Sequence, residues 1–182
     1  MRKRREYAEN SAYHVTSRTN DKIRVFESKL GQRIMLLVLG YAKEKYHFKL
    51  HNFSIMPNHF HLLITPANGT NISHIIQWIK TKSAKIWNNV HGSSDHLWGE
   101  RFFSRPIRDF KDYYIVYNYI NQNPVKAGIT QNSFDWRASG AYYIVNNISG
   151  LVDFTSFDHL LCIKMLPEKV TVTYDNKPCI GC

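Results

Sequence analysis

Met56-Pro57-Asn58-His59-Phe60-His61-Leu62-Leu63-Ile64 and, about sixty residues on, Tyr117-Asn118-Tyr119-Ile120-Asn121-Gln122-Asn123-Pro124 hold the residues best suited to chemistry. In a β-strand alternate side chains share a face, so His59 and His61 project together while Phe60, Leu62 and Ile64 turn to the other side. Two adjacent imidazoles can grip a metal, and a hard divalent ion such as Mg²⁺ or Mn²⁺ also accepts an amide oxygen. Asn123 is the candidate third ligand. On a helix Tyr119 and Asn123, four apart, point the same way. A phenol, mostly protonated at neutral pH, attacks phosphorus only with help from a nearby positive charge, a metal-polarised phosphate or a base. A metal clamp beside such a phenol is a minimal kit for breaking a phosphodiester through tyrosine.

Elements of the right kind surround these residues. Tyr13 to Thr19 reads as a strand, rich in β-branched and aromatic residues with polar alternation. Lys29 to Lys45 carries a helical stripe of Leu30, Ile34, Leu37, Val38 and Tyr41. Leu50 to Met56 and His59 to Thr65 follow as two strands separated only by Pro57-Asn58, a hairpin spacing. A long helix then places Ile72, Ile75, Ile76, Ile79, Ser83, Ile86, Trp87 and Val90 on one side. Lys80, Lys82 and Lys85 flank it as a solvated rim or as phosphate contacts. In Leu97 to Ile107, Arg101, Phe103 and Arg105 share a strand face, a surface for phosphates and a stacked base or simply exposed arginines. Asp112 to Asn123 reads as a helix buried through Tyr113, Val116, Tyr117 and Ile120, with Tyr119 and Asn123 on its shoulder. Pro124 disfavours helical geometry at Asn123, so the helix is expected to stop there. The order is β-α-β-β-α-β with a further helix: an α+β antiparallel sheet backed by helices.

Composition narrows the partners. At 182 residues and 43% hydrophobic, the chain suits one domain, residues 1–150, with a basic start at Met1-Arg2-Lys3-Arg4-Arg5 and a tail over 151–182 to which no role is assigned. Val170 to Tyr174 in that tail reads as a short strand. A formal charge of +10 attracts a polyanion, nucleic acid or an anionic membrane surface. The longest aliphatic run, Ile34 to Leu39, is too short to span a bilayer, and Tyr7 to Asn20 supplies no apolar signal-peptide segment. A cytoplasmic protein with no membrane partner is expected. Cys162, Cys179 and Cys182 are an odd set that makes no disulfide framework, and Cys179-x-x-Cys182 is at most half of a zinc site.

Several ordered motifs resemble the HUH single-tyrosine transposases, most closely the REP-associated tyrosine transposases. They are Tyr13-His14-Val15-Thr16-Ser17-Arg18, Met56 to Leu63, Leu97-Trp98-Gly99-Glu100-Arg101-Phe102, Tyr119 to Gly128, and Trp136 to Tyr142. The resemblance implies a ferredoxin-like fold with His59 and His61 on the central sheet and Tyr119 on a helix. It implies that Tyr119 attacks single-stranded DNA, hairpin-bearing by analogy, leaving a 5′-phosphotyrosine and a free 3′-hydroxyl, with strand transfer reversing the step. No nucleotide cofactor is needed, because the tyrosyl ester conserves the bond energy. Insertion-sequence members often carry Gln, one methylene longer, where this chain has Asn123. The family includes monomers and homodimers that exchange the tyrosine helix. Two other readings remain open at this point: a non-catalytic single-stranded nucleic-acid-binding module on the same sheet, and a zinc hydrolase that uses His59, His61 and a metal-bound water.

Overall fold

The computed structural model describes residue 8 and residues 11–153. Val170 to Tyr174, the basic start and the cysteines lie outside the described residues.

Four strands, β1 (Tyr13–Arg18), β2 (Lys49–Met56), β3 (His59–Thr65) and β4 (Phe103–Pro106), form one sheet in the order β2-β3-β1-β4. All three pairings are antiparallel. With α1 (Lys29–Tyr46) between β1 and β2 and α2 (Ile72–His91) between β3 and β4, this is the ferredoxin-like arrangement. Helices α3 (Phe110–Lys126) and α4 (Gly140–Val145) follow. The fold is α+β, an antiparallel sheet backed by helices, as the sequence predicts.

Strand alternation divides the sheet into two faces. Tyr13, Val15, Phe53, Ile55, Phe60, Leu62 and Ile64 enter the main core with Ile34, Met35, Val38 and Leu39 of α1 and Ile72, Ile75, Ile76 and Ile79 of α2. The reverse face carries a smaller cluster in which Leu63 meets Val116, Tyr117 and Ile120 of α3 and Ile144 of α4. Helix α3 covers only the β2–β3 side of that face, leaving the β3–β1–β4 side open. Both edges are handled: Ile55 N donates to Ala138 O beside β2 at 2.9 Å, and β4 is short.

Caps fix the helix ends. Ser28, Asn71 and Asp109 side chains accept from the first turns of α1, α2 and α3, and Gly92 ends α2 at φ 60°. Several sequence expectations shift here. The buried face of α1 runs through Ile34, Met35, Val38, Leu39 and Ala42, while Leu30, Leu37 and Tyr41 are exposed. Val90 on α2 is also exposed. Of Leu97 to Ile107, only Phe103–Pro106 forms a strand. Helix α3 does not stop at Asn123 but runs to Lys126, with Pro124 inside it. Proline there forgoes one hydrogen bond in the final turn, and Ala127 N to Asn123 O (3.0 Å) and Ile129 N to Pro124 O (2.9 Å) still close the end.

Candidate active site

The hairpin turn Pro57-Asn58 sets the position of the first imidazole. Pro57 O accepts from Phe26 N and Asn58 O from Thr19 N, both at 2.9 Å, which pins the turn to the chain that follows β1. The Asn58 amide nitrogen donates to Lys22 O at 3.2 Å. Its carbonyl oxygen, Oδ1, lies 2.8 Å from His59 Nδ1. An amide oxygen only accepts, so His59 carries its proton on Nδ1 and its Nε2 lone pair is bare.

His61, the next residue on this face, is nearly buried, and its Nδ1 lies 3.1 Å from Nε2 of His14 on β1. The His14 and His61 rings lie near-parallel, 17° apart in plane and 5.4 Å between centroids, while His59 meets His61 edge-on at 5.1 Å. Cross-strand register puts Arg18 opposite His59, Thr16 opposite His61, and Phe103 and Arg105 opposite Thr16 and His14. Tyr119 reaches this group from α3: its ring stands edge-on to His61 at 5.4 Å and to His14 at 5.9 Å. Lys126, seven residues further along the helix, lies 5.4 Å over the Tyr119 ring. His14, Arg18, His59, His61, Phe103 and Tyr119 thus line one hollow of about 910 Å³, with Arg101 at its rim.

The electrostatics keep the imidazoles uncharged. Burial, reinforced by Arg18, lowers His59 to about 4; burial with Arg105 lowers His14 to about 4. His61 falls furthest, to about 2, through burial and then His14, His59 and Arg18. At neutral pH all three are neutral, the form that ligates metals. Among the described residues no group of three or more His, Cys, Asp or Glu side chains is arranged to hold a metal ion. The donor set on offer is the His59–His61 pair, so further ligands would have to be amide, water or phosphate oxygens, which suits a hard divalent ion.

The other sequence candidates divide. Asn123 does not line the hollow; its side-chain nitrogen donates to Tyr119 O at 2.7 Å. Arg105 is held by Asp112 in a two-pronged ion pair, Nη1 to Oδ2 at 2.7 Å and Nη2 to Oδ1 at 2.8 Å, and turns away from the hollow. Phe103 does the opposite, 55% exposed on the open face. Lys80 and Lys85 line a separate groove of about 610 Å³ between α2 and the segment before β4, and Lys80 donates to Glu100 O at 2.9 Å. This groove meets the hollow at Gly99 and Arg101, which border both. Lys82 is exposed and lines neither. Sequence reasoning gave no role to His14, Arg18 or Asn58. The alternation of Tyr13 to Arg18, which puts His14, Thr16 and Arg18 opposite Val15, was the signal available.

A ferredoxin-like sheet with two alternating histidines on a central strand, crossed by a helix that brings a tyrosine to them, is the HUH nuclease-type fold. The chain belongs to the IS200-like transposase family: the family model described as "Transposase IS200 like" matches residues 7–123. It is 30% identical over 145 residues to a Haemophilus influenzae protein named as a candidate REP-associated tyrosine transposase, covering 73% of this chain and 81% of that one. The REP-associated tyrosine transposase of Escherichia coli K12 is 30% identical over 89 residues, 49% of this chain and 52% of that one. A solved REP-associated tyrosine transposase bound to a REP hairpin shares the fold at a TM-score of 0.71 and 22% identity, covering 86% of this chain and 96% of its own. No helix among the described residues is long and apolar enough to cross a membrane.

Proposed function

We propose that this chain cuts and rejoins single-stranded DNA through a covalent bond to Tyr119. The observation that carries the reading is the meeting of the Tyr119 ring and the His59–His61 pair in one hollow, with His61 5.4 Å from the phenol ring. Tyr119 Oη attacks the scissile phosphorus and loses its proton to solvent. The P–O3′ bond breaks, and the departing 3′ oxygen gains a proton. The product is a 5′-phosphotyrosine and a free 3′-hydroxyl, and attack by a second 3′-hydroxyl runs the step backwards to join strands. The Tyr119 carbonyl and Asn123 amide are bonded within the helix, which holds the turn bearing the nucleophile.

His59 and His61 are the residues that would hold Mg²⁺ or Mn²⁺ through bare imidazole nitrogens, with the Asn123 amide oxygen the candidate third ligand. Such an ion would neutralise phosphate charge and align the diester for in-line attack. Phe103 offers a stacking surface beside the reacting phosphate, and Arg18 and Arg101 offer phosphate contacts. Lys80 and Lys85 extend the cationic path into the α2 groove, with Lys82 outside it; Arg105, bound to Asp112, contributes least. A hairpin-bearing strand is the expected partner, in line with the REP hairpin bound by the solved relative. The working unit is a monomer, whose own phenol and imidazoles share the hollow, or a homodimer exchanging α3.

The test is a hairpin-bearing single strand incubated with Mn²⁺. The wild type forms an adduct that survives denaturing electrophoresis, and Tyr119→Phe binds the strand without forming it. Cutting by Tyr119→Phe would transfer the nucleophile's role to water. Binding without cutting by either protein, across a broad panel of strands, would leave a binding module.

A further inference from the structure

The two imidazoles differ in what orients them. His59 has a local acceptor, the Asn58 side-chain oxygen, which can be reached only by a protonated Nδ1. His61 has no such neighbour in sequence. Its Nδ1 meets Nε2 of His14 across the β1–β3 ladder at 3.1 Å, a contact in which either ring can be the donor. If His14 Nε2–H donated, His61 would carry its own proton on Nε2, and that nitrogen could not ligate a cation.

We infer that His14 is the positioning residue for His61: it accepts a hydrogen bond from His61 Nδ1–H and so fixes the tautomer whose bare Nε2 serves the site. This deepens the reading of His59 and His61 as cation ligands and rests on it. Three observations support it. The 3.1 Å contact is almost sealed from water, with His14 8% and His61 5% exposed, so solvent competes poorly for the Nδ1 proton. The rings are near-parallel, at 17°, with centroids 5.4 Å apart, so they meet end to end and the two nitrogens face each other close to both ring planes, where an Nδ1–H and an Nε2 lone pair lie. With His14 as acceptor, His59 and His61 are matched, each protonated on Nδ1 and each bare on Nε2. No proton is gained or lost in the arrangement; it is only assigned. Metal-binding histidines commonly depend on such an outer partner, whose loss costs about 10- to 100-fold in affinity.

Nitrogen NMR of the ¹⁵N-histidine-labelled full chain reads the tautomer directly, with His61 assigned by its loss in His61→Asn. In metal-free wild type, the proton is expected on His61 Nδ1. In His14→Phe, which keeps a ring but no acceptor, it should move largely to Nε2, the tautomer a free imidazole favours. His14→Gln, with a side-chain oxygen to accept, should restore Nδ1–H. Should His14→Phe not fold, His14→Ala carries the same comparison. In parallel, the dissociation constant for Mn²⁺ alone should rise at least about 10-fold in His14→Phe and recover in part in His14→Gln. An Nε2–H tautomer for His61 in the wild type, or a His14→Phe spectrum unchanged at His61, overturns the proposal. A tautomer that follows His14 in a protein that binds no Mn²⁺ leaves the positioning role standing and removes the metal reading instead.

Discussion

Asn52 on β2 and Asn121 on α3 form a buried bolt between sheet and helix: Asn52 Nδ2 donates to Asn121 Oδ1 at 2.8 Å and to the Tyr117 carbonyl at 3.2 Å. Neither side chain is more than 1% exposed. Asn52 Oδ1 in turn accepts from Phe53 N at 2.8 Å. The bolt grips the helix two residues on either side of Tyr119 and so fixes how far the phenol is turned toward the histidines. Asn52→Ala removes all three of these buried hydrogen bonds and should cost about 2–3 kcal/mol in urea unfolding. An unchanged midpoint would mean that α3 is held by its apolar face alone.

Gly140 sits against the same bolt. A Cβ there would lie 2.3 Å from Asn52 Oδ1 and 3.1 Å from Phe53 N, closer than packing allows. Gly140→Ala should therefore destabilise by about 1–3 kcal/mol. Because the worst contact is with Asn52, the double variant with Asn52→Ala should lose less stability than the two single losses added together. A double-mutant cycle measured by denaturant titration settles the point; strict additivity would place the strain on the Phe53 backbone.

The Arg105–Asp112 pair is structural, and its effect should follow pH. The Arg105 hydrogen bond, with help from Arg108 N, lowers Asp112 from 3.8 to about 2. A carboxylate whose folded value lies below its unfolded one stabilises above the unfolded value and loses that contribution as pH falls through the folded one. Asp112→Asn should cost about 1 kcal/mol at pH 7, solvent screening being appreciable at this partly exposed pair. Its gap from wild type should narrow between about pH 4 and pH 2. Guanidinium unfolding at several pH values would show it, and a gap independent of pH would mean that the carboxylate charge is immaterial.

Arg101 and Arg105, four residues from each other on the chain, should behave differently. Arg101 borders both hollow and groove, so Arg101→Gln should lower the salt dependence of single-strand binding by about one counterion. Arg105→Gln should leave that slope nearly unchanged and reduce stability instead. Fluorescence anisotropy across a salt series, alongside thermal melts, separates the two.

Phe103 is exposed on the open face and contributes little to the core. Phe103→Ala should weaken binding of a single strand by about 1–2 kcal/mol at fixed salt through lost base stacking, with the melting temperature unchanged. Equal affinity would remove Phe103 from the DNA path.

Much of the site's geometry was written in local periodicity. Alternation along β3 set His59 and His61 against Phe60, Leu62 and Ile64, and a helical stripe of Val116, Tyr117 and Ile120 set Tyr119 on the flank of α3; both arrangements are what the structure displays. What escaped was set by distant partners. Helix α1 presents apolar residues around much of its surface, so the stripe through Leu37 and Tyr41 competes with the true one through Met35 and Leu39. The loss of Arg105 to Asp112 depends on how β4 turns into α3, and His14 acquires its meaning only from a ladder that joins residues 47 apart in sequence. Pro124 misled because a rule about helix interiors weakens in a last turn whose carbonyls find other partners.

Strand β3 serves two masters. Phe60, Leu62 and Ile64 face the helices α1 and α2, while His59 and His61 face the hollow and Leu63 faces α3, so a single inserted or deleted residue would send imidazoles into oil and phenylalanine into water in the same stroke. The core and the hollow thus share a single frame: side chains can be exchanged in place along that strand, whereas a change in its length spoils both at once.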